Sequence, residues 1–450
     1  MSDKKPLLLF TSFGIHGHFN PTAQVAEEMV KRGYEVVYVI GHEFEAKIKQ
    51  IGAEWVPTLS AFDLVTPEFQ KEIVKLEPSL KGVVYSQEHI FLKHMPKRVQ
   101  IIQSTLESLR QREPGRQIIV LDEALSMAIY PFKLGRPPPK GFKEFPKTIS
   151  FNVIPLFIKS RDTAPFLLGI PPDSSEAGRQ RNEELWNNVM AAEFGELVQI
   201  QTKYLKEAGA TRFPEVPFDA WVTTKDVCFQ MCIPSLEHPR SDLPSSVRFA
   251  GCVPKKPLDP SYQYPDWWPE FASIKGKRKI VFVAQGTVAV NYEELVIPSL
   301  IGLADREDLF VLATLGVRGA KLADDFRVPS NARVHDYLPY DPILELADVF
   351  VSNGGYGSLT HTVINGVPQV LSGVTEDKLE VGIRAERAGL AVNLGTRSPT
   401  PEQVAKAVDV VLSDPRYKEV ALKLKEENEG YDTFGIIENQ ILEFTESRKS

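Results

Sequence analysis

The sequence predicts an α/β protein with two Rossmann-like domains that face each other across a cleft. Its 450 residues suffice for two domains with separate cores. In both halves, short apolar runs rich in β-branched residues alternate with segments of helical spacing, the pattern of parallel sheets covered by helices. The predicted parts are an N-terminal domain, a linker rich in proline and charge, a C-terminal domain and a final helix, at 1–254, 255–278, 279–430 and 431–450.

Composition and charge argue against several classes of protein. The net charge is −7, whereas a nucleic-acid-binding face is basic. No apolar stretch approaches the roughly 20 residues needed to span a bilayer, and the N-terminal apolar run is too short for a signal peptide. Cys228, Cys232 and Cys252 lack the spacing of a disulfide framework or a zinc site, so we expect buried thiols. We expect a cytoplasmic monomer without a nucleic-acid partner or an integral membrane segment.

The first half opens with a βαβ unit. A strand over 6–12 leads into a loop that carries His18, and a helix over Thr22–Arg32 ends at Gly33. The next strand is predicted over Tyr34–Ile40. The loop lacks a G-x-G-x-x-G turn, so a dinucleotide is not implied and we expect the loop to face something other than phosphate.

Further strands and long insertions complete the first half. The run QIIVLDEA predicts a strand that ends in Asp122. The insertions around 60–110 and 150–210 are typical of substrate loops. The other strands are predicted within TISFNVIPLFI, DAWVTTKDVCFQMCI and VRFAGCV.

The second half is organised around a strand, a glycine-rich turn and a helix. The strand is VFVS, the turn contains Gly354, Gly355 and Gly357, and the helix begins near Ser358. Glycines let the backbone approach an anion, and the helix start directs unpaired N–H groups and its positive dipole end towards that anion. Acidic residues follow the next strand, QVLS, so a phosphate site and hydroxyl-binding carboxylates should share one sheet edge, which suggests a nucleotide sugar.

The remaining second-half elements follow the same pattern. Strands are predicted within KIVFVAQGT, LFVLATLG and ARVHDYL. Thr400 and Gln403 form a capping box with proline at the first helical position, which predicts a helix start. The last helices are predicted from about 415 to 447.

This part of the chain resembles the donor-binding signature of the UDP-dependent glycosyltransferases of the macrolide, flavonoid and sterol type, glycosyltransferase family 1. The resemblance implies the GT-B fold, whose final helix crosses back onto the first domain. Order and spacing match over about 45 residues, and three positions depart from the pattern. Asn353, His361 and Lys378 stand where the family usually has a diphosphate-binding His, a ribose-binding Glu and a sugar-binding Gln. The matching stretches are Tyr337-Leu338-Pro339-Tyr340, Asn353-Gly354-Gly355-Tyr356-Gly357-Ser358, Gly366-Val367-Pro368 and Asp377-Lys378.

The resemblance also implies a set of donor-site residues. Tyr337 would stack on the base, which needs only a π face. Asp377 would accept hydrogen bonds from sugar hydroxyls. The full implied set is Gly286, Thr287, Tyr337, Asn353, Gly355, Gly357, Ser358, His361, Asp377 and Lys378.

The stretch Gly17-His18-Phe19-Asn20-Pro21 resembles the family's G-H-x-x-P element, whose His is the catalytic base. An imidazole titrates near neutrality and can remove the proton of an acceptor hydroxyl. The motif favours His18 over its rival His16. Asp122 occupies the family's place for the carboxylate that orients the base.

The sequence therefore predicts an inverting glycosyltransferase. We expect it to move a hexose, first of all glucose from UDP-glucose, to a hydroxyl of a small apolar aglycone such as a phenol, flavonoid, macrolide or sterol. Backbone donors and the helix dipole would meet the diphosphate charge, so we expect no metal and no cofactor beyond the UDP-sugar co-substrate. A nucleotide-sugar epimerase of the same fold and a non-catalytic UDP-sugar-binding subunit remain alternatives.

Overall fold

A computed structural model describes residues 4–76, 79–166, 168–192, 194–258, 262–286 and 289–447. The chain divides into two compact units. The first unit comprises Met1–Met231, Pro239–Val253 and Asp432–Ser450, and the second comprises Cys232–His238 and Pro254–Tyr431.

The described part of the first unit contains a seven-stranded sheet in the order β3-β2-β1-β4-β5-β6-β7, and neighbouring strands pair in parallel. The central strands are fully buried because helices cover both faces, as parallel crossovers require. The strands are β1 (Leu7–Thr11), β2 (Val36–Ile40), β3 (Glu54–Pro57), β4 (Ile118–Glu123), β5 (Thr148–Asn152), β6 (Val227–Gln230) and β7 (Val247–Phe249).

The helices of the first unit lie largely between these strands. They are α1 (His16–Lys31), α2 (Glu45–Gln50), α3 (Ala61–Leu64), α4 (Pro67–Leu76), α5 (Leu80–Ser86), α6 (Met95–Arg112), α7 (Tyr130–Lys133), α8 (Glu176–Ala192), α9 (Gly195–Glu207) and α10 (Asp219–Thr223).

Two predictions for this unit are wrong in their secondary structure. The predicted loop around His18 is the first part of α1, because Phe19 extends the buried face of the helix and its ring stacks on Phe44 at 4.0 Å. The run DAWVT, predicted as strand, is helix α10, and it buries Trp221 in the core. The predicted helix end at Gly33 is confirmed, since this residue has φ +82°.

The described part of the second unit contains a six-stranded parallel sheet in the order β10-β9-β8-β11-β12-β13. The strands are β8 (Lys279–Ala284), β9 (Leu309–Thr314), β10 (Ala332–His335), β11 (Val349–Ser352), β12 (Gln369–Leu371) and β13 (Ala391–Asn393). The helices are α11 (Trp268–Ala272), α12 (Val296–Gly302), α13 (Tyr340–Leu344), α14 (Tyr356–Asn365), α15 (Lys378–Arg387), α16 (Pro401–Ser413) and α17 (Pro415–Glu429).

The stretch 255–278 is more than a linker. It belongs to the second unit, and its helix α11 buries Phe271, 1% exposed, in the core that also contains Phe282.

The predicted capping box of α16 is confirmed, because the Thr400 side chain accepts from the Gln403 N–H and the Gln403 side chain accepts from the Thr400 N–H.

The last helix, α18 (Thr433–Glu446), belongs to the first unit. Ile437 and Ile441 are fully buried in the core that Leu8 and Met29 also join. Glu438 accepts a 2.5 Å hydrogen bond from Arg32 Nη1 at the end of α1. Apolar packing and this ion pair therefore hold α18 against the first unit's sheet.

The predicted burial of the thiols is confirmed, since Cys228, Cys232 and Cys252 are all buried. Among the helices of the described ranges, none combines the length and the apolar character that a membrane crossing demands.

Candidate functional site

In the first unit, His18 is paired with a buried carboxylate. Its Nδ1 lies 2.9 Å from Oε1 of Glu123, the last residue of β4. The Glu123 side chain is fully buried, whereas His18 keeps 13% of its side chain exposed. The ring of Phe13 meets the imidazole edge-on at 6.0 Å. This arrangement fixes the imidazole while leaving part of it exposed.

Backbone N–H groups hold Glu123 in place. Its Oε2 accepts from Phe13 N at 3.1 Å, and its Oε1 accepts from Leu125 N at 2.9 Å as well as facing His18. These donors stabilise a carboxylate that burial would otherwise penalise. An ionised Glu123 can only accept hydrogen bonds, so Nδ1 donates its N–H to the carboxylate and Nε2 is the acceptor nitrogen of the neutral ring.

The carboxylate that faces His18 is therefore Glu123, which corrects the assignment of that contact to Asp122. Asp122 is fully buried, and its Oδ2 accepts a 2.5 Å hydrogen bond from Nζ of Lys225, which is equally buried. Burial raises the pKa of Asp122 and lowers the pKa of Lys225, and the attraction between the two charges opposes both shifts. The ammonium also lies 4.7 Å from the ring centroid of Tyr130. This pair belongs to the core.

The alternation of side chains along β4 explains the difference. Successive residues of a strand point to opposite faces. Leu121 joins the core that includes Phe19 of α1, whereas Val120 joins the opposite core. Glu123 shares the face of Leu121, and Asp122 shares the face of Val120. Side chains in QIIVLDE alternate between the two faces of the strand. This alternation, combined with the face of the sheet that α1 covers, was the signal that could have identified Glu123 as the carboxylate facing His18.

His16, the rival base, lies elsewhere on α1. It is exposed, and its ring meets Phe44 edge-on at 5.4 Å and Phe62 at 6.3 Å. Its packing is aromatic, and within the described ranges no carboxylate hydrogen-bonds to it as Glu123 does to His18.

In the second unit, the glycine turn connects β11 to α14 as expected. Gly354 has φ +80°, which favours glycine, and its N–H donates to Oγ of Ser352 at 3.2 Å. Ser358 donates to the Gly355 carbonyl at 2.6 Å, and its hydroxyl lies 3.2 Å from that of Ser352. Gly355 is the N-cap of α14, so Gly357 and Ser358 lie in the first helical turn, and the Ser358 N–H donates to the Gly355 carbonyl at 3.0 Å.

A second turn lies beside the first. Asn353 Nδ2 donates to the Gln285 carbonyl at 2.6 Å, and Gly286 follows with φ +81°. A methyl group on Gly286 would come within 4.0 Å of Asn353 Oδ1. The amide of Asn353 therefore links the turn after β8 to the turn after β11. Thr287, the other residue predicted here, lies outside the described residues.

Tyr337 lies between β10 and α13 and is half-buried. The guanidinium carbon of Arg318 lies 4.5 Å from its ring centroid. The backbone N–H of Tyr337 donates to Asp336 Oδ1 at 2.7 Å, and the other oxygen of Asp336 accepts from Gly319 N. The aspartate thus links the tyrosine backbone to the loop that carries Arg318.

His361 on α14 is bound to a carboxylate of α13. Its Nδ1 lies 2.8 Å from Oδ1 of Asp341, which also accepts from Asn365 Nδ2 at 2.9 Å. Burial opposes ionisation of Asp341, but the hydrogen bonds from His361 and Asn365 keep the pKa of its carboxyl below the ordinary value. The side chain of His361 remains 40% exposed.

The predicted sugar-binding pair lies at the start of α15. Lys378 is 12% exposed, and its ammonium pairs with Glu376. Its aliphatic chain packs against Gly373, where an added methyl would come within 2.9 Å of Lys378 Cδ and 2.2 Å of the Asn353 carbonyl oxygen. Asp377 is the N-cap residue of α15 and is partly exposed. Gly373 therefore allows the loop after β12 to lie beside the turn after β11.

Two units, each with a parallel sheet covered by helices, give this chain the GT-B fold. A solved glycotransferase of kitacinnamycin is similar with a TM-score of 0.71 and 19% identity, covering 97% of this chain and 100% of that chain. CalG4, the calicheamicin glycosyltransferase, has a TM-score of 0.66 and 15% identity, with 98% of each chain covered.

Sequence relatives define the family more closely. Residues 302–434 match the family described as erythromycin biosynthesis protein CIII-like, C-terminal domain. UDP-glucosyltransferase 1 of Beauveria bassiana (strain ARSEF 2860) is 37% identical over 434 residues, covering 95% of this chain and 93% of its own. UDP-glucosyltransferase A1 of Starmerella bombicola is 34% identical over 445 residues, covering 98% and 93%. The chain belongs to the UDP-glycosyltransferase family and is a glycosyltransferase.

Proposed function

We propose that this protein transfers glucose from UDP-glucose to a hydroxyl of a small apolar aglycone, such as a phenol, flavonoid, macrolide or sterol. The observation that carries the proposal is the 2.9 Å pair of His18 and Glu123 in the first unit. With Nδ1–H directed to the carboxylate, Nε2 accepts the hydroxyl proton as the acceptor oxygen attacks the anomeric carbon. Glu123 orients the ring and stabilises the imidazolium that forms.

The donor is assigned to the second unit. The start of α14 and the turn after β8 supply N–H groups for the diphosphate, and Tyr337 supplies a π face for the uracil ring. Asn353 contributes no positive charge, and its hydrogen bond to the Gln285 carbonyl holds the two turns together. The anomeric bond to the β-phosphate breaks as the new bond forms, and UDP leaves.

Inversion follows from the carboxylates of the first unit. A double displacement needs a carboxylate nucleophile at the anomeric carbon. Asp122 is fully buried against Lys225, and Glu123 is fully buried against His18 and two backbone N–H groups. Both are engaged away from solvent, so direct displacement by the acceptor oxygen is the simpler course. An α-linked donor would give a β-glycoside.

Glucose is favoured over glucuronic acid by the state of Lys378. A lysine at this position could in principle select a sugar carboxylate, but its ammonium is paired with Glu376. Asp377, the residue before Lys378, is also acidic, and acidic neighbours repel a carboxylate donor. Two relatives reported above carry the name UDP-glucosyltransferase, which points the same way. Those names give no support to the epimerase or to a non-catalytic subunit.

The test is product analysis with UDP-glucose and a panel of aglycones by mass spectrometry. His18→Ala should lose about 10²- to 10⁴-fold of turnover on an alkyl alcohol while keeping its affinity for UDP. His16→Ala is the matched control and should stay active. Conversion of UDP-glucose without an acceptor would instead indicate the epimerase. A preference for UDP-glucuronic acid in direct competition, removed by Lys378→Gln, would overturn the glucose assignment.

A further inference from the structure

One histidine of the second unit keeps a ring nitrogen open on the helix that follows the glycine turn. His361 lies on α14, and its Nδ1 is 2.8 Å from Oδ1 of Asp341 on α13. The side chain of His361 is 40% exposed, whereas that of Asp341 is 18% exposed. Within the described ranges, Nε2 of His361 has no hydrogen-bond partner and is not a buried atom. A bound molecule can therefore reach this nitrogen.

Asp341 determines which ring nitrogen accepts. Its Oδ1 also accepts from Nδ2 of Asn365 at 2.9 Å, and that amide donates as well to the His361 carbonyl at 2.9 Å. Burial opposes ionisation of Asp341, but these side-chain hydrogen bonds hold the pKa of its carboxyl below the ordinary value. An ionised carboxylate only accepts hydrogen bonds, so Nδ1 carries the hydrogen and the neutral ring presents a lone pair at Nε2.

Packing limits the movement of this imidazole. The His361 ring meets the ring of Tyr340 at 5.8 Å and 61°. Tyr340 packs against the core of the second unit, where its ring meets that of Phe282 edge-on at 5.1 Å. The aromatic contact and the bond to Asp341 together hold the imidazole in one orientation.

His361 lies between the elements assigned to the base and to the diphosphate. Ser358 precedes it by three residues on α14, which places the two side chains on one face of the helix. Tyr337 precedes Asp341 by four residues, at the entry to α13. In a nucleoside diphosphate the ribose joins the base to the diphosphate, so a donor that spans these elements brings its ribose to His361.

We propose that Asp341 is a positioning residue, which holds His361 Nε2 as the hydrogen-bond acceptor for a ribose hydroxyl of the donor. A hydroxyl can donate to this nitrogen, whereas the C–H group of a deoxyribose cannot form an equivalent bond. The pair therefore selects a ribonucleotide over a deoxyribonucleotide. This inference rests on the proposed function and defines part of its donor specificity.

Calorimetric titration with UDP, 2′-deoxy-UDP and 3′-deoxy-UDP tests the inference in the absence of an acceptor substrate. The wild type should bind UDP about 3- to 10-fold more tightly than at least one deoxy form, the usual contribution of one hydrogen bond between neutral groups. The deoxy form that loses affinity identifies the hydroxyl. An analogue with fluorine at that position cannot donate and should bind no more tightly than the deoxy form. A fluoro analogue that binds as tightly as UDP would overturn the acceptor role of Nε2.

Variants of the pair separate positioning from a general effect on folding. His361→Phe should weaken UDP and leave the affinity for the deoxy form unchanged, so that the preference disappears. Asp341→Leu removes the acceptor for Nδ1 and should lower the preference at least about 2-fold, whereas Asp341→Asn keeps an acceptor oxygen and should retain it. Thr360→Ala is the control and should retain the preference, because the Thr360 hydroxyl donates to the Gly357 carbonyl of its own helix. Thermal unfolding checks that each variant is folded.

Equal affinity of the wild type for UDP and both deoxy forms would overturn the inference. An equal loss of affinity for UDP and the deoxy form in Asp341→Leu would also overturn it, since Asp341 would then have a structural role alone. In either case, transfer from UDP-glucose to an alkyl alcohol would leave the proposed function intact. Undetectable binding of UDP to the wild type would overturn both.

Discussion

Glu123→Gln tests the positioning of the base most directly, because the substitution changes one oxygen of a buried carboxylate into an NH₂ group. The carboxylate accepts from Phe13 N and Leu125 N and faces His18 Nδ1, at 3.1, 2.9 and 2.9 Å. A glutamine amide has one acceptor oxygen, so it cannot satisfy both sides of this site. One of two amide orientations must be adopted, and each has a different cost.

If the amide oxygen faces His18 and Leu125, the NH₂ group opposes the Phe13 N–H, and two donors are left unpaired at about 1–3 kcal/mol each. If the NH₂ group faces His18, it favours the tautomer that carries its hydrogen on Nε2, and that tautomer cannot take the acceptor proton. In either orientation the ring also loses the negative charge that stabilises the imidazolium. We expect kcat to fall about 10²- to 10⁴-fold, which corresponds to about 3 to 5 kcal/mol of activation free energy.

The assay is initial-rate kinetics with UDP-glucose and an alkyl alcohol, with UDP affinity measured by calorimetry to check the fold. An acidic phenol should be affected less, because it ionises without a base. Asp122→Asn is the control, since Asp122 faces Lys225 and should affect stability more than kcat. Near-normal turnover of Glu123→Gln on the alkyl alcohol, with unchanged UDP affinity, would show that Glu123 does not orient the base.

Three further predictions concern stability and donor binding. Lys225→Met leaves the Asp122 carboxylate buried without its cation and should lower the free energy of unfolding in urea by about 3–5 kcal/mol. The double variant Asp122→Leu with Lys225→Met should recover much of that loss. A loss below about 1 kcal/mol in Lys225→Met would contradict the role of the pair. Gly373→Ala would place a methyl 2.2 Å from the Asn353 carbonyl oxygen and should lower the affinity for UDP, measured by calorimetry, at least about 10-fold. Gly17→Ala is the control, since a methyl there meets nothing within 4 Å, and it should leave the affinity unchanged. Equal affinities of the two variants would refute the packing of the two loops. Burial alone would raise the pKa of Asp162, but hydrogen bonds from Ser241 and Arg179 lower it to about 2, so its stabilising contribution is complete above about pH 4 and is lost as the pH falls through about 2. The stability difference between wild type and Asp162→Asn should therefore shrink between pH 5 and pH 2 in urea unfolding, and a constant difference would contradict this.

Periodicity and turn chemistry carried much of the fold prediction. The alternation of β-branched runs with helical segments predicted two parallel sheets, and both are present. The turn after VFVS and the capping box at Thr400 were identified by residues whose local preferences are strong, namely glycine at positive φ and a side chain that accepts from N3. Local rules failed where burial prevailed. Burial of Phe19 stabilises the first turn of α1 where a loop was predicted, and burial of Trp221 stabilises α10 where a strand was predicted.

The sequence by itself determined the class of this protein. The glycines, the serine and the histidine motif that identify the class are local patterns, which can be recognised without knowledge of the tertiary structure. Only the tertiary structure decided which carboxylate serves His18. Asp122 and Glu123 are adjacent and chemically alike, and a strand sends them to opposite faces of the sheet, one towards Lys225 and the other towards α1. The tertiary structure likewise paired His361 of α14 with Asp341 of α13. Long-range contacts of this kind depend on how strands and helices pack, and the local sequence does not predict that packing.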